Sequence, residues 1–104
     1  MARLTWSRPA LRDLEEIAEY IALDSPSAAS RYVRKVFGAV ERLKRYPNSG
    51  RRPEELRSTP YREVIVPPCR VFYRADENDV FILHVMRSER LLRSFLLEQR
   101  DEDL

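Results

Sequence analysis

One cysteine and one histidine are all that 104 residues offer in the way of soft metal ligands. Cys69 has no second thiol for an internal disulfide, and together with His84 it falls short of the four ligands a structural zinc takes. No metal or other cofactor is expected, and Cys69 reads as structural. Long apolar runs are also lacking. The longest, Val80 to Val85 with His84 inside it, is far short of the roughly 20 residues that span a bilayer. The amino terminus carries no basic-then-apolar leader, so a cytoplasmic protein without membrane contact is expected. Repeats, low-complexity tracts and linkers are missing too, and about 100 residues is what one core needs. One domain over residues 1–104 follows.

The chain is rich in charge. Hydrophobic residues make up 43% and charged residues 35%, enough apolar material for a core beneath a densely ionic surface. The net charge is only +2, but the signs are unevenly spread. Arg42, Lys44, Arg45, Arg51, Arg52, Arg57 and Arg62 crowd the middle against Glu41, Glu54 and Glu55, while Asp101, Glu102 and Asp103 make the carboxyl end acidic. The middle is a candidate surface for a polyanion or an acidic partner, or else a solvated face.

Periodicity supplies the elements. Arg3-Leu4-Thr5-Trp6 alternates as a short strand with Leu4 and Trp6 inward. Ser7 before Arg8-Pro9 is a helix start, and Leu11, Leu14, Ile17, Ala18 and Ile21 follow at helical spacing. Ser25-Pro26 begins a second helix striped by Ala29, Val33, Val36, Val40 and Leu43. Residues 8–23 and 26–45 should therefore form a hairpin that packs through Leu14, Ile17, Ile21, Val33, Val36 and Val40. Gly38 inside the second helix costs about 1 kcal/mol relative to alanine, which suggests close approach by another element. Residues 46–60 have loop composition. Tyr61 to Val66, Arg70 to Arg74 and Val80 to Met86 read as a three-strand antiparallel meander, the last strand central. Ser88 is placed to cap a final helix carrying Leu91, Leu92, Phe95 and Leu96, with an acidic tail completing residues 88–104. The class is α+β, ordered β-α-α-β-β-β-(α), a helix hairpin on one face of a small antiparallel sheet.

Several local sequences lie in an order that resembles one family. Asp13-Leu14-Glu15-Glu16-Ile17-Ala18-Glu19-Tyr20-Ile21 leads to the turn Ser25-Pro26-Ser27-Ala28-Ala29. Tyr46-Pro47 and Gly50 precede Arg52-Pro53-Glu54-Glu55-Leu56, and the strands Tyr61-Arg62-Glu63-Val64-Ile65-Val66 and Arg70-Val71-Phe72-Tyr73-Arg74 follow. Across nearly the whole chain this is similar to the RelE/ParE toxins of type II toxin–antitoxin systems. The resemblance implies a growth inhibitor held inactive by a cognate antitoxin, with operator DNA met only through the antitoxin. It also implies one of two targets: RelE-like members cleave messenger RNA on the ribosome, and ParE-like members inhibit DNA gyrase.

RNA cleavage by the 2′-hydroxyl needs a base, cations for the phosphorane and an acid for the leaving oxygen. By resemblance Arg70 takes the phosphate-stabilising position and Glu54 that of the base, with Arg62 and Arg87 as further phosphate ligands. No tyrosine or histidine follows the last strand to act as acid, and Arg62 stands where RelE-like nucleases carry lysine. Arginine stays protonated at ordinary pH and makes a poor base. Arg70 has a structural alternative as a surface partner of Glu63, Glu54 as the start of a helical turn, and His84 a buried or partner-facing role. The ParE-like reading is therefore favoured, with target or antitoxin binding carried by Arg87, Arg90, Leu91, Leu92, Phe95 and Leu96. An atypical nuclease and a non-toxic antitoxin-binding module are the alternatives.

Overall fold

The computed structural model describes residues 1–104. Strand β1 (Arg3–Trp6) leads into helix α1 (Arg8–Ala22) and helix α2 (Pro26–Glu41), which continues into a 3-10 turn at Arg42–Lys44. Both helices start where the sequence places a serine. The Ser7 hydroxyl accepts from the Ala10 N–H at 3.1 Å and the Ser25 hydroxyl from the Ala28 N–H at 3.2 Å, each with proline in the first turn. Strands β2 (Arg62–Val66), β3 (Cys69–Ala75) and β4 (Asp79–Arg87) and helix α3 (Ser94–Glu102) follow. The class and the order of elements are those read from the sequence.

The hairpin of α1 and α2 lies on one sheet face. Leu14, Val36 and Val40 are fully enclosed against Val66, Val71, Tyr73, Val80, Ile82 and Val85, and Ile17, Ile21 and Val33 fill the margin. The Tyr32 hydroxyl donates to the Val66 carbonyl at 2.6 Å, fixing α2 over β2. Gly38 does not fit the expectation of a close internal neighbour. It faces solvent, and a Cβ there would meet nothing within 4 Å.

Strand order is β1-β4-β3-β2. The last three strands form the expected antiparallel meander, but β1 lies parallel to β4, so the sheet is mixed rather than wholly antiparallel. Two local facts account for this. The outer edge of β2 is already occupied by Arg51, which exchanges backbone bonds with Glu63 at 3.0 and 2.8 Å. The β4 register also sets Leu4 beside Val80 and Trp6 beside Ile82, so the alternation in both strands is satisfied together. A bulge in β4 interrupts the pairing with β3: Phe72 opposes His84, Tyr73 opposes Ile82, and Leu83 is the extra residue.

The second face carries its own core of Leu56, Tyr61, Phe72, Leu83, Met86, Leu92 and Leu97. Helix α3 covers it, so this face is closed by the chain itself. The helix begins at Ser94 rather than at the expected Ser88 cap, because residues 88–93 form a turn and an extended stretch that carry Leu92 inward. The cap thus moves five positions, from Ser88 to Arg93, which changes which apolar side chains are hidden. Leu97 is completely buried, while Leu91 and Phe95 stand 85% and 60% exposed.

Candidate functional site

β1 ends at Trp6, so it pairs β4 only as far as Ile82, and from Leu83 to Arg87 that side of β4 has no neighbouring strand. Helix α1 and the segment after β4 wall this free edge into a groove of about 720 Å³. Ile17 and Tyr20 line one side, and Arg87, Arg90, Leu91 and Leu96 the other. The Arg87 guanidinium pairs with Glu89 at 2.8 Å and sits 5.9 Å from the Tyr20 ring centre. Of the residues read from the sequence as a binding set, Arg87, Arg90, Leu91 and Leu96 come together here. Phe95 is exposed, and Leu92 belongs to the second core.

At the head of the groove the edge is closed by side chains. Asp13 of α1 accepts from the Val85 N–H at 3.1 Å and from Arg100 of α3 at 2.6 Å, and its Oδ2 lies 2.8 Å from His84 Nδ1. Arg100 also donates to the Leu83 carbonyl at 2.9 Å and stands 2.8 Å from the same His84 nitrogen. That nitrogen either donates to Asp13 or accepts from Arg100, and cannot do both. The His84 ring stacks on Phe72. His84 is thus a partly buried member of a polar tie between α1, β4 and α3. Asp13 and Arg100 escaped the sequence reading because 87 positions separate them and no local pattern joins them.

Burial alone would raise the Asp13 pKa. The hydrogen bonds from His84, Arg100 and the Val85 N–H outweigh it and hold the carboxyl below its ordinary 3.8. A carboxylate with a depressed folded-state pKa contributes stability that is present above its unfolded value and lost as pH falls through the folded one. Melting temperature should therefore drop with acidification from about pH 4 downward, and Asp13→Asn should lower it at neutral pH while flattening its acid dependence. Thermal melts of both proteins between about pH 5 and pH 2 check this. Parallel acid profiles would remove Asp13 from the account. Burial pushes the Cys69 thiol up, as suits an inert core cysteine.

The candidate nuclease residues are dispersed. Arg62 opposes Tyr73 and Arg70 opposes Ile65, so alternation sends their side chains to opposite faces of the sheet. Arg62 donates to the Gly50 carbonyl at 2.9 Å. Arg70 is nearly buried, with its Nε 2.6 Å from Glu63 and an outer nitrogen 3.0 Å from Glu55. The Glu63 pairing was expected to be a surface contact, but both partners are enclosed, Glu63 completely. Glu54 begins a 3-10 turn after Pro53 and shares a shallow basic hollow with Arg51, Arg52, Arg57 and Arg70. Arg87 lies on the groove described above.

Residues 4–92 match the family model for the ParE toxin of the type II toxin–antitoxin system parDE. The chain belongs to the ParE toxin family. It is similar to the Y4kP protein of Sinorhizobium fredii, 42% identical over 90 residues, which is 85% of this chain and 90% of that one. Toxin RelE2 of Caulobacter vibrioides is 36% identical over 92 residues, 88% of this chain and 100% of that one. Among solved structures, the chromosomal ParDE system from P. aeruginosa superposes with a TM-score of 0.72 at 29% identity, covering 86% and 98% of the two chains. The RelBE2 complex from Mycobacterium tuberculosis, at 23% identity and a TM-score of 0.57 over 83% and 96%, shares the fold. The ParE toxin match stops short of α3, so the tie through Arg100 and the Leu97 contact lie outside the matched residues.

Proposed function

We propose that this ParE toxin inhibits growth by binding a protein surface, with DNA gyrase as its target, and that a cognate antitoxin neutralises it by occupying the groove beside β4. The observation that carries the proposal is the dispersal of the nuclease set. Arg62 and Arg70 project from opposite faces, Arg70 is bound by two carboxylates, and no tyrosine or histidine follows β4. General acid–base groups typically contribute about 10²–10⁴-fold each, so a nuclease without its acid would be feeble. The groove offers an extended segment the strand edge beyond the Asp13 tie, apolar walls at Ile17, Leu91 and Leu96, and the cations Arg90 and Arg93 for acidic side chains. The solved relative from P. aeruginosa is a ParDE toxin–antitoxin system, which supports an antitoxin as the occupant.

The test is induction without antitoxin, followed by inspection of DNA and transcripts. Chromosome breaks with a DNA damage response are expected, and Glu54→Gln should leave toxicity within about twofold of wild type, since it removes only a base that surface binding does not use. Leu91→Asp with Arg90→Glu should weaken antitoxin binding by at least about tenfold, as expected for central contacts of an interface. Ribosome-phased cuts in messages that disappear in Glu54→Gln would move the assignment to the RelE-like nuclease, for which Glu54 and Arg70 share the basic hollow. Unimpaired growth would leave an antitoxin-binding module.

A further inference from the structure

The solvent face of α2 has no role in the groove, the hollow or either core. At 100° per residue, Arg31, Arg34, Lys35, Gly38 and Arg42 fall on a single stripe opposite the buried Ala29, Val36 and Val40, and Arg45 extends it past the 3-10 turn. The stripe is about 21 Å long from Arg31 to Arg45 at 1.5 Å per residue. None of its five cations forms an ion pair, and Arg31 bonds only to the Ser27 hydroxyl at 3.4 Å. The nearby Glu41 is taken by Lys44 at 2.7 Å. Arg51, Arg70, Arg74, Arg87 and Arg100 are by contrast neutralised by carboxylates, and Arg52 and Arg57, which also lack an ion pair, share their hollow with Glu54 and Glu55.

We infer that this stripe docks the phosphate backbone of a nucleic-acid duplex, without regard to sequence. Unpaired guanidinium and ammonium groups in a line suit a line of phosphates, and binding gains from the counterions they release. The middle of the stripe is Gly38, with open space where a side chain would be, so a sugar-phosphate chain can lie close to the helix between the flanking cations. An acidic protein is a poorer fit. Protein interfaces centre on a buried aromatic or aliphatic anchor, whereas here the centre has no side chain and the adjacent Phe37 ring packs edge-on to Trp6 at 5.1 Å. The toxin would then touch DNA itself when it sits beside a DNA-bound partner.

The experiment is fluorescence anisotropy of the full chain with labelled duplex DNA of about 20 base pairs in two unrelated sequences and with the matching RNA duplex, titrated in salt. Binding to both DNA sequences alike is expected, with log K falling linearly against log salt at about −0.9 per phosphate contacted. Arg34→Glu with Lys35→Glu and Arg42→Glu, all exposed positions, should weaken binding at least tenfold and make the slope shallower by about 2.7. Arg52→Glu with Arg57→Glu should change affinity less than twofold, and melts confirm that both variants fold. Retention of the RNA duplex assigns the shared phosphate chemistry, and its rejection narrows the ligand to DNA. Absence of binding at about 50 mM salt, an unaffected α2 variant, or DNA displaced freely by polyglutamate that binds more tightly would each overturn the inference. Toxicity of the α2 variant is a separate readout, and its persistence alongside lost DNA binding leaves the gyrase proposal standing.

Discussion

Glu63→Ala should destabilise the protein by roughly 3–5 kcal/mol, the usual cost of breaking a buried ion pair from one side. Glu63 is fully enclosed, and its two oxygens accept from Arg51 and Arg70, each at 2.6 Å. Removing it leaves the Arg70 guanidinium, whose side chain is only 11% exposed, with Glu55 at the rim as its remaining carboxylate partner. Arg51 is mostly in water and loses little. Because a small domain has about 5–15 kcal/mol in total, much of the variant should be unfolded at physiological temperature. The double replacement Glu63→Leu with Arg70→Met removes both charges and should fall near neutral or above wild type. Urea denaturation of all three proteins is the measurement. A single-variant loss below about 1 kcal/mol would mean that the pair behaves like a surface contact.

The other large effect belongs to Leu97. It is completely buried among Leu56, Tyr61, Phe72, Leu83, Met86 and Leu92, and it joins α3 to the second sheet face. Leu97→Ala should cost about 2–5 kcal/mol through lost transfer energy and the cavity left behind. A nine-residue helix is too short to persist alone, since isolated helices below about 12–15 residues are marginal. Its hold on the sheet therefore depends on Leu97, on Arg100 at Asp13, and on Asp101, which pairs with Arg74 at 2.7 Å. Denaturation together with binding of a hydrophobic dye should report the exposed second face. If the dye stays unbound while stability falls, the cavity has collapsed with α3 still docked. Deleting everything after Arg87 would remove Arg90, Leu91 and Leu96 from the groove and also bare Phe72, Leu83 and Met86, so loss of toxicity in such a truncation would report folding as much as contact. Point changes at Arg90 and Leu91 separate the two.

The parts of the fold that were legible in the sequence are those with a local cause. Ser7 and Ser25 are followed by prolines and by apolar residues at intervals of three and four, so both long helices could be placed to within a residue or two at their starts. The meander followed from two short turn-forming connections, Pro67-Pro68 and the polar stretch from Asp76, between β-branched and aromatic runs. The parallel partnership of β1 had no local signature, because it depends on which sheet edge Arg51 leaves vacant. The start of α3 is not legible locally, because Ser88 matches a cap in type, whereas burial of Leu92 and Leu97 decides where the chain turns. Of the groove lining, Arg87, Arg90, Leu91 and Leu96 were legible because they lie close together in the chain at the end of β4 and after it, whereas Leu92 turns into the second core. Asp13 and Arg100 were not, since their meeting requires the hairpin, the bulge at Leu83 and the docked α3 all at once.

The pairing of β1 with β4 has a consequence for how the protein is made. Residues 3–6 meet residues 79–82, so β1 waits until the whole meander has been made, and closing so long a loop is entropically costly and slow. While translation proceeds, α1 and α2 can form by local contacts, but the free edge of β4, the Asp13 tie and the groove do not yet exist. A nascent chain therefore lacks the groove until β4 has emerged. Under the proposal that an antitoxin fills this groove, its site arises only once β4 has been made, and it must already be present at that moment to reach the chain before a target does.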